Sequence, residues 1–153
     1  MDVRAAAPED AAEICAVVRA SIIALCGADH HDDPQILKAW LANKTPEDIA
    51  RWIADPDNIN LVVAQEGAIL AAGCVTVGGE VVLNYVRPAE RFRGASSALL
   101  TALEAAARGA GNLVCRLDST ATAHRFYQAR GFEDCAPPTR KFGLTAWPMR
   151  KTL

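Results

Sequence analysis

The first part of the chain places its hydrophobic residues at helical spacing. After a short apolar run at 2–6 that predicts an opening strand, hydrophobic residues recur every three or four positions from Pro8 to about Cys26. Pro8 is followed by two acidic residues, which is typical of the first turn of a helix. We therefore expect one helix there, followed by a polar loop, GADHHDD, at 27–33.

Two further helices are predicted by their caps. Asp33 and Thr45 are each followed by a proline. The Asp or Thr side chain is a common N-cap, and the fixed φ of proline suits the first helical position. Hydrophobic residues then recur on one face of each segment. The later helix should end before Asp55-Pro56, because the residue before a proline disfavours the helical conformation.

The middle of the chain changes to β-branched and small apolar residues, in three runs at 59–65, 68–77 and 80–86. The breaks between them are Glu66-Gly67 and Gly78-Gly79. Two-residue breaks of this kind join neighbouring strands through tight turns. The pattern predicts an antiparallel meander of three strands.

Helices and strands alternate in the remainder of the chain. Leucines at helical spacing predict a helix over 95–108, NLVCRL at 112–117 predicts a strand, and TATAHRFYQAR at 120–130 predicts a helix that ends at Gly131. The tail from Lys141 predicts at least one further strand. This order of elements indicates the α/β (α+β) class, with helices packed on a mixed sheet.

The composition is that of a folded protein. Its charge and its cysteine content also limit the kinds of partner and metal site that we expect. The length of 153 residues matches one domain spanning 1–153, with 51% hydrophobic and 22% charged residues. The net charge of −2 argues against nucleic acid as the main partner. Five widely spaced cysteines without a C-x-x-C pair indicate free thiols in a reducing cytoplasm and no structural metal site. We find neither a signal-peptide pattern nor the roughly 20 apolar residues of a membrane span, and therefore expect a cytoplasmic protein with no membrane partner.

The segment RFRGASS, Arg91 to Ser97, places small and cationic residues where a helix begins. The first turn of a helix leaves four backbone N–H groups without intrahelical partners and carries the positive end of the helix dipole. Small side chains let an anion approach these N–H groups closely. The segment predicts an anion site, with a solvated basic turn capped by Ser96 or Ser97 as the alternative.

Three ordered motifs carry a family resemblance. Arg91 to Ser96 fits a loop of arginine or glutamine, two residues, glycine, one residue, and glycine or alanine, except that its last position is serine. VRP at 86–88 precedes this loop and HRFYQARGF at 124–132 follows it, and the ending PMRKTL is also similar. Over nearly its whole length the chain resembles the general-control-related N-acetyltransferases, the GNAT superfamily. The resemblance implies a mixed, mostly antiparallel central sheet flanked by helices on both faces.

The resemblance also implies an acetyl-CoA-dependent N-acetyltransferase, which transfers an acetyl group within a ternary complex to the primary amine of a small molecule or peptide. The backbone of Asn84, Tyr85 and Val86 would bind the pantetheine arm and polarise the carbonyl. Tyr127 would be the general acid for the leaving thiolate, with a plain core aromatic as the alternative. The diphosphate would lie on the loop residues Arg91, Phe92, Arg93, Gly94, Ala95, Ser96 and Ser97.

Two positions depart from the family pattern. Ser96 replaces the last glycine or alanine of the loop, and Thr120 stands where relatives often have a cofactor-binding asparagine. A hydroxyl replaces only part of the hydrogen bonding of an amide. Ser119 is the neighbouring residue that would compensate, so we count both Ser119 and Thr120 as cofactor-binding candidates.

The general base is less defined. Glu80 begins the third strand of the meander, where some family members carry a catalytic glutamate, and a carboxylate at a strand end beside a cleft suits that role. The same residue fits an ordinary exposed hairpin position. Many relatives have no dedicated base and use water chains.

The loop GADHHDD is the most unusual local feature. In this fold the connection between the first two helices usually walls the acceptor groove, so Asp29, His30 and His31 are candidates to bind the amine acceptor. Three interpretations are open: a solvated acidic loop in which Asp33 caps a helix, acceptor recognition, and a metal site. Adjacent histidines point in different directions, which counts against the metal.

Other functions are compatible with the same fold. One alternative is a catalytically inactive CoA-binding sensor or interaction module. Another is a toxin-like acetyltransferase of aminoacyl-tRNA, which the net charge of −2 disfavours because tRNA binding needs a broad basic face. The strands near the C-terminus are candidates for a homodimer interface.

Overall fold

The structure is a computed structural model that describes residues 1–153. It contains six α-helices and eight β-strands, with single 3₁₀ turns before α1 and before α5. In chain order the elements are β1 (Asp2–Ala5), α1 (Ala11–Leu25), α2 (Gly27–His30), α3 (Pro34–Leu41), α4 (Pro46–Ala54), β2 (Asn58–Gln65), β3 (Ala68–Thr76), β4 (Glu80–Val86), α5 (Ala95–Gly109), β5 (Val114–Ser119), α6 (His124–Ala129), β6 (Glu133–Asp134), β7 (Thr139–Lys141) and β8 (Leu144–Thr152).

The strands form one continuous sheet in the order β1-β2-β3-β4-β5-β8-β6, and β7 forms a hairpin with β8. Every neighbouring pair is antiparallel except β4 and β5, which run parallel. The predicted meander of β2, β3 and β4 is confirmed. So is the predicted fold class, a mixed and mostly antiparallel sheet.

Each face of the sheet is covered by helices. On one face, α5 and the aromatic side chains around α6 pack on the sheet, and on the other face α1 and α4 do so. Alternation along the strands divides neighbouring residues between the faces, so that Val63 joins the α5 side and Val62 joins the α1 side. Gly73 lets α5 approach closely, because a Cβ there would lie 2.9 Å from Leu103 Cδ1.

The caps predicted for α3 and α4 are confirmed. Asp33 Oδ1 accepts a hydrogen bond from the N–H of Gln35 at 2.9 Å, and Thr45 Oγ1 accepts one from the N–H of Asp48 at 3.1 Å. The prediction of an unstructured loop at 27–33 is wrong in part, because one helical turn, α2, occupies its first four residues. None of the six helices combines the length and the apolar composition that a membrane crossing requires.

An irregularity in β4 opens the sheet. Val81 pairs with Val75 of β3 and Leu83 pairs with Cys74, which leaves Val82 as an extra residue without a partner. As a result Val81 packs on the α5 side, whereas Leu83, two residues later, packs on the α1 side. β4 pairs with β5 only through its first two residues and then separates from it.

Candidate functional site

The gap between β4 and β5 forms a cleft with a volume of about 680 Å³. Its walls come from the C-terminal end of α1, the separated part of β4, the start of α5, the end of β5, and α6. The cleft therefore reaches both faces of the sheet. Three of the sequence motifs, at 84–86, 91–97 and 120–127, meet around it.

The start of α5 presents backbone donors at one end of this cleft. The N–H groups of residues 94–97 have no acceptor in the protein. Gly94 has φ +92°, and no atom lies within 4 Å of the position that a Cβ would occupy. A group of free N–H donors beside an open space at a helix N-terminus is the geometry of an anion site.

The side chains of the 91–97 segment divide into those that line the cleft and those that do not. Arg91 and Phe92 line it, and the Arg91 guanidinium lies 4.6 Å from the centre of the Phe92 ring. The expectation that Arg93 contacts the anion through its side chain is not supported, because that side chain is exposed and lies outside the cleft. The Ala95 side chain is fully buried under α5, so only its N–H faces the site.

Two further arginines in the cleft were missed by the sequence interpretation. Arg125 and Arg130 of the α6 segment both line it. Arg130 donates from Nη2 to the Ser97 hydroxyl at 2.6 Å, and its guanidinium lies 3.7 Å from the centre of the Phe126 ring. These contacts fix a positive charge beside the first turn of α5. A basic residue at a helix C-terminus usually complements the helix dipole. The sequence alone therefore does not indicate that Arg130 also places a charge beside the start of α5.

The separated part of β4 has backbone groups that face the gap. Arg87 N donates to Leu70 O of the strand β3 segment, at 2.7 Å. Since successive residues of a strand direct their backbone groups to opposite sides, Asn84 and Val86 point theirs away from β3 and into the gap. Tyr85 directs its backbone groups to β3, and its side chain packs on the α1 side. Tyr85 is therefore part of the wall of the cleft, and its backbone groups do not face the gap.

Tyr127 lies on the α5 side of the same gap, where it is 6% exposed. Its hydroxyl oxygen accepts a hydrogen bond from Asn84 Nδ2 at 2.9 Å, which leaves the hydroxyl hydrogen free to be donated. Burial raises the pKa of Tyr127 to about 12, and the Asn84 donor opposes this rise. The hydroxyl consequently keeps its proton at neutral pH.

The structure does not support Glu80 as the base. Its side chain is exposed at the β3–β4 hairpin, its N–H donates to Thr76 Oγ1 at 3.1 Å, and it lies outside the cleft. Asp118 of β5 is the one carboxylate that lines the cleft. Because Leu117 points to the α5 side, alternation places Asp118 on the α1 side. The sequence alone did not identify Asp118 as a cleft residue, because Asp118 belongs to none of the motifs described above.

Asp29 is buried and bonded within the protein, which does not favour its assignment to acceptor binding. It is 6% exposed, and its carboxylate accepts hydrogen bonds from Ala121 N at 2.6 Å, Thr122 N at 3.2 Å and Thr122 Oγ1 at 2.6 Å. These bonds hold the segment before α6 as a turn. They also explain why α6 begins at His124 and not at Thr120.

The two neighbouring histidines do not face the cleft either. His30 is fully buried, with Nε2 2.9 Å from Ile22 O and Nδ1 accepting from Asp32 N at 3.0 Å, so both ring nitrogens have partners. His31 ends α2 with φ +51° and its side chain is exposed outside the cleft. Of the first interpretation of this loop, the Asp33 cap is confirmed, whereas the loop is not solvated throughout, since Asp29 and His30 are buried.

The two positions that depart from the family pattern have different surroundings. Ser96 and Thr120 both line the cleft. The Thr120 hydroxyl accepts a hydrogen bond from Ala123 N at 3.1 Å. Ser119 is 1% exposed, donates to Thr120 O at 2.9 Å and lies outside the cleft, so it does not compensate for the missing asparagine.

Comparison with known proteins identifies the fold and the family. A family model described as an acetyltransferase (GNAT) domain matches residues 28–153. A GCN5-related N-acetyltransferase from Rhodopseudomonas palustris superposes with a TM-score of 0.88 at 25% identity, over 99% of this chain and 95% of that chain. The PaiA N-acetyltransferase of Thermoplasma acidophilum, in complex with coenzyme A, gives 0.82 at 18% identity, over 99% and 98%. Salmonella typhimurium yncA, with its cofactor acetyl-CoA, gives 0.76 at 21% identity, over 99% and 93%. No curated sequence matches the chain.

Proposed function

Because the chain belongs to the GNAT family of acetyltransferases, we propose that it transfers an acetyl group from acetyl-CoA to the primary amine of a small molecule or peptide. The observation that carries the proposal is the set of unpaired N–H groups at 94–97, which open into a cleft whose charged side chains are three arginines and one aspartate. A cleft of this charge suits a polyanionic cofactor.

The residues present fit the diphosphate of that cofactor. The N–H groups of Gly94 to Ser97 and the Arg91 guanidinium would hold its oxygens, and Arg130 would add a second positive charge. The open space beside Gly94 admits the phosphates, whereas a side chain at that position would enter the same space. Thr120 and Ser96 would bind through their hydroxyl groups.

The chemistry proceeds at the gap between β4 and β5. When bound, acetyl-CoA supplies an activated acetyl group with a thiolate as its leaving group. The N–H groups of Asn84 and Val86 would orient and polarise the acetyl carbonyl. Tyr127, which keeps its hydroxyl proton at neutral pH, would donate that proton to the departing sulfur.

The acceptor amine must lose a proton as its nitrogen bonds the acetyl carbon. With the cofactor held on the α5 side, the acceptor approaches from the α1 side, where Asp118 is the carboxylate within the cleft. We assign the proton transfer to Asp118 in place of Glu80. Cys26 also lines this side, but burial raises the pKa of its thiol to about 12, so it carries no charge at neutral pH.

The sheet continues without interruption from β1 to β6 and both hydrophobic cores pack on it, which supports a single acetyltransferase domain over 1–153. All five cysteines are free and four are buried, which supports a reducing, cytoplasmic location.

A thiol-release assay tests the proposal. The purified protein is mixed with acetyl-CoA and a panel of amino acids, diamines, amino sugars and short peptides, and products are identified by a mass gain of one acetyl group. The proposal predicts amine-dependent thiol release with at least one class. Calorimetric binding of acetyl-CoA without transfer to any class would instead support the non-catalytic sensor.

A further inference from the structure

A second cavity, of about 370 Å³, lies on the α1 side of β4. Six of the nine residues in its wall are hydrophobic, and they include Trp40 of α3, Trp52 of α4, and Leu83. The one charged residue in the wall is Lys44, in the connection between α3 and α4. The cavity is separate from the diphosphate site and from the hydroxyl of Tyr127.

Lys44 is a buried cation without an acidic partner. The residue is 8% exposed, and no carboxylate oxygen lies within 4.0 Å of its ammonium group. The ammonium donates to Asn43 Oδ1 at 2.6 Å and to Trp40 O at 3.3 Å, so one of its three N–H groups has no protein partner. Burial lowers the pKa of Lys44, which reflects the cost of keeping this charge away from water.

The backbone around Lys44 is held in place from α1. Arg19 Nη1 donates to Leu41 O at 3.0 Å and to Lys44 O at 2.9 Å. Thr45, the next residue, caps α4. The connection is therefore fixed at both ends, and the position of the ammonium group is built into the fold and does not depend on a mobile surface side chain.

The second cavity adjoins the transfer cleft. Val82, Leu83 and Tyr85 line both. A molecule lying beside Tyr85 on the α1 side would thus reach from Lys44 to the gap between β4 and β5. A carboxylate on such a molecule would meet the Lys44 ammonium, and a neighbouring amino group would face the site of acetyl transfer.

We propose that the acceptor is an amino acid with an apolar side chain, whose carboxylate binds Lys44 and whose amino group reaches the transfer cleft beside Tyr85. This inference rests on the proposed function. A carboxylate supplies the missing partner of the buried ammonium, and Trp40, Trp52 and Leu83 supply apolar contact for the side chain.

The test compares acceptors that differ only in the carboxylate. Values of kcat/KM are measured for leucine, methionine and phenylalanine, for their carboxamides, and for the corresponding decarboxylated amines. Each is measured with the wild type, with Lys44→Met, with Lys44→Gln, and with Lys38→Met as the exposed control. For each protein, kcat/KM for the acid is divided by kcat/KM for its carboxamide or amine, and this quotient is then compared between the variant and the wild type. The comparison cancels the different basicities of the amines.

We expect the wild type and Lys38→Met to prefer each acid over its carboxamide and amine by at least about tenfold, and both Lys44 variants to lose this preference. An equal preference in the wild type and in the Lys44 variants would overturn the inference. So would efficient transfer to carboxylate-free amines by the wild type, although the proposed function would then stand.

If no amine is acetylated, the proposed function fails and the ligand of the cavity is tested separately. Tryptophan fluorescence is followed as the three amino acids are titrated in the presence of desulfo-CoA, since two of the three tryptophans, Trp40 and Trp52, line the cavity. A saturable change in the wild type that disappears in Lys44→Met supports the inference. The absence of a change in the wild type, or the same change in both proteins, contradicts it.

Discussion

The Asn84 side chain donates a hydrogen bond to the hydroxyl oxygen of Tyr127 across 2.9 Å, and so joins β4 to α6 at the gap in the sheet. The bond occupies the oxygen as an acceptor and leaves its hydrogen available. Because Asn84 also directs its backbone N–H into the gap, one residue orients the proposed acid and borders the proposed carbonyl site.

Tyr127→Phe removes the donated proton and keeps the ring that packs on Phe132 at 5.5 Å. We expect kcat to fall by about 10² or more, with the acetyl-CoA dissociation constant unchanged. Equal kcat values for Tyr127→Phe and wild type would remove Tyr127 from the mechanism.

The pH dependence follows from the same residue. An acid acts while it is protonated, and Tyr127 loses its proton only near its raised pKa of about 12. The rate therefore should not decline between about pH 7 and about pH 10 through Tyr127, although it rises as the acceptor amine loses its proton. A stopped assay of kcat against pH in wild type and Tyr127→Phe checks this sign.

Asp118→Asn tests the base. If Asp118 takes the amine proton, the variant loses about 10² in kcat/KM at neutral pH and recovers part of it at higher pH, where free amine is more abundant. Glu80→Gln, at the start of the neighbouring strand β4 and outside the cleft, should behave as wild type. A loss with Glu80→Gln and none with Asp118→Asn would restore the original assignment.

The sequence predicted those features that depend on neighbouring residues. The caps at Asp33 and Thr45, the meander and the glycine-led start of α5 are each set within a few positions, and each is confirmed by the structure. The extra residue Val82 was not predicted. It depends on how β3 and β4 align, and an alternating pattern alone does not contain that information.

The errors concern residues whose partners are distant in sequence. Asp29 bonds Ala121, which is 92 positions away, and this contact turns an apparent acceptor-binding residue into a support for the turn before α6. Lys44 was overlooked for a related reason, because a lysine between two helices is ordinarily solvated. Only the packing of α3, α4 and β4 encloses it.

Asp29→Asn should destabilise the protein without changing acceptor preference. The amide loses the charge that accepts three hydrogen bonds from the segment before α6, and we expect a loss of about 2 kcal/mol in the free energy of unfolding. Asp32→Asn, at an exposed position of the same loop, is the control and should change stability little. Urea denaturation followed by circular dichroism measures both.

Lys44→Met should make the protein more stable. The substitution removes a buried ammonium that lacks an acidic partner and keeps an unbranched side chain of similar length, so we expect a gain of about 1 kcal/mol. Lys38→Met, on the exposed surface of α3, is again the control. A melting temperature of Lys44→Met below those of the wild type and of Lys38→Met would show that the ammonium stabilises the folded protein.

Binding of acetyl-CoA at the start of α5 is the central claim, and isothermal titration of Gly94→Glu tests it most directly. Gly67→Glu is the matched control, because Gly67 also has positive φ and open space around its Cβ position but lies in the β2–β3 turn, away from the cleft. Wild type and Gly67→Glu are predicted to bind acetyl-CoA and desulfo-CoA alike, and Gly94→Glu is predicted to show no binding, since its carboxylate would face the diphosphate. Equal affinity of Gly94→Glu and Gly67→Glu for acetyl-CoA would contradict the assignment of the cofactor site.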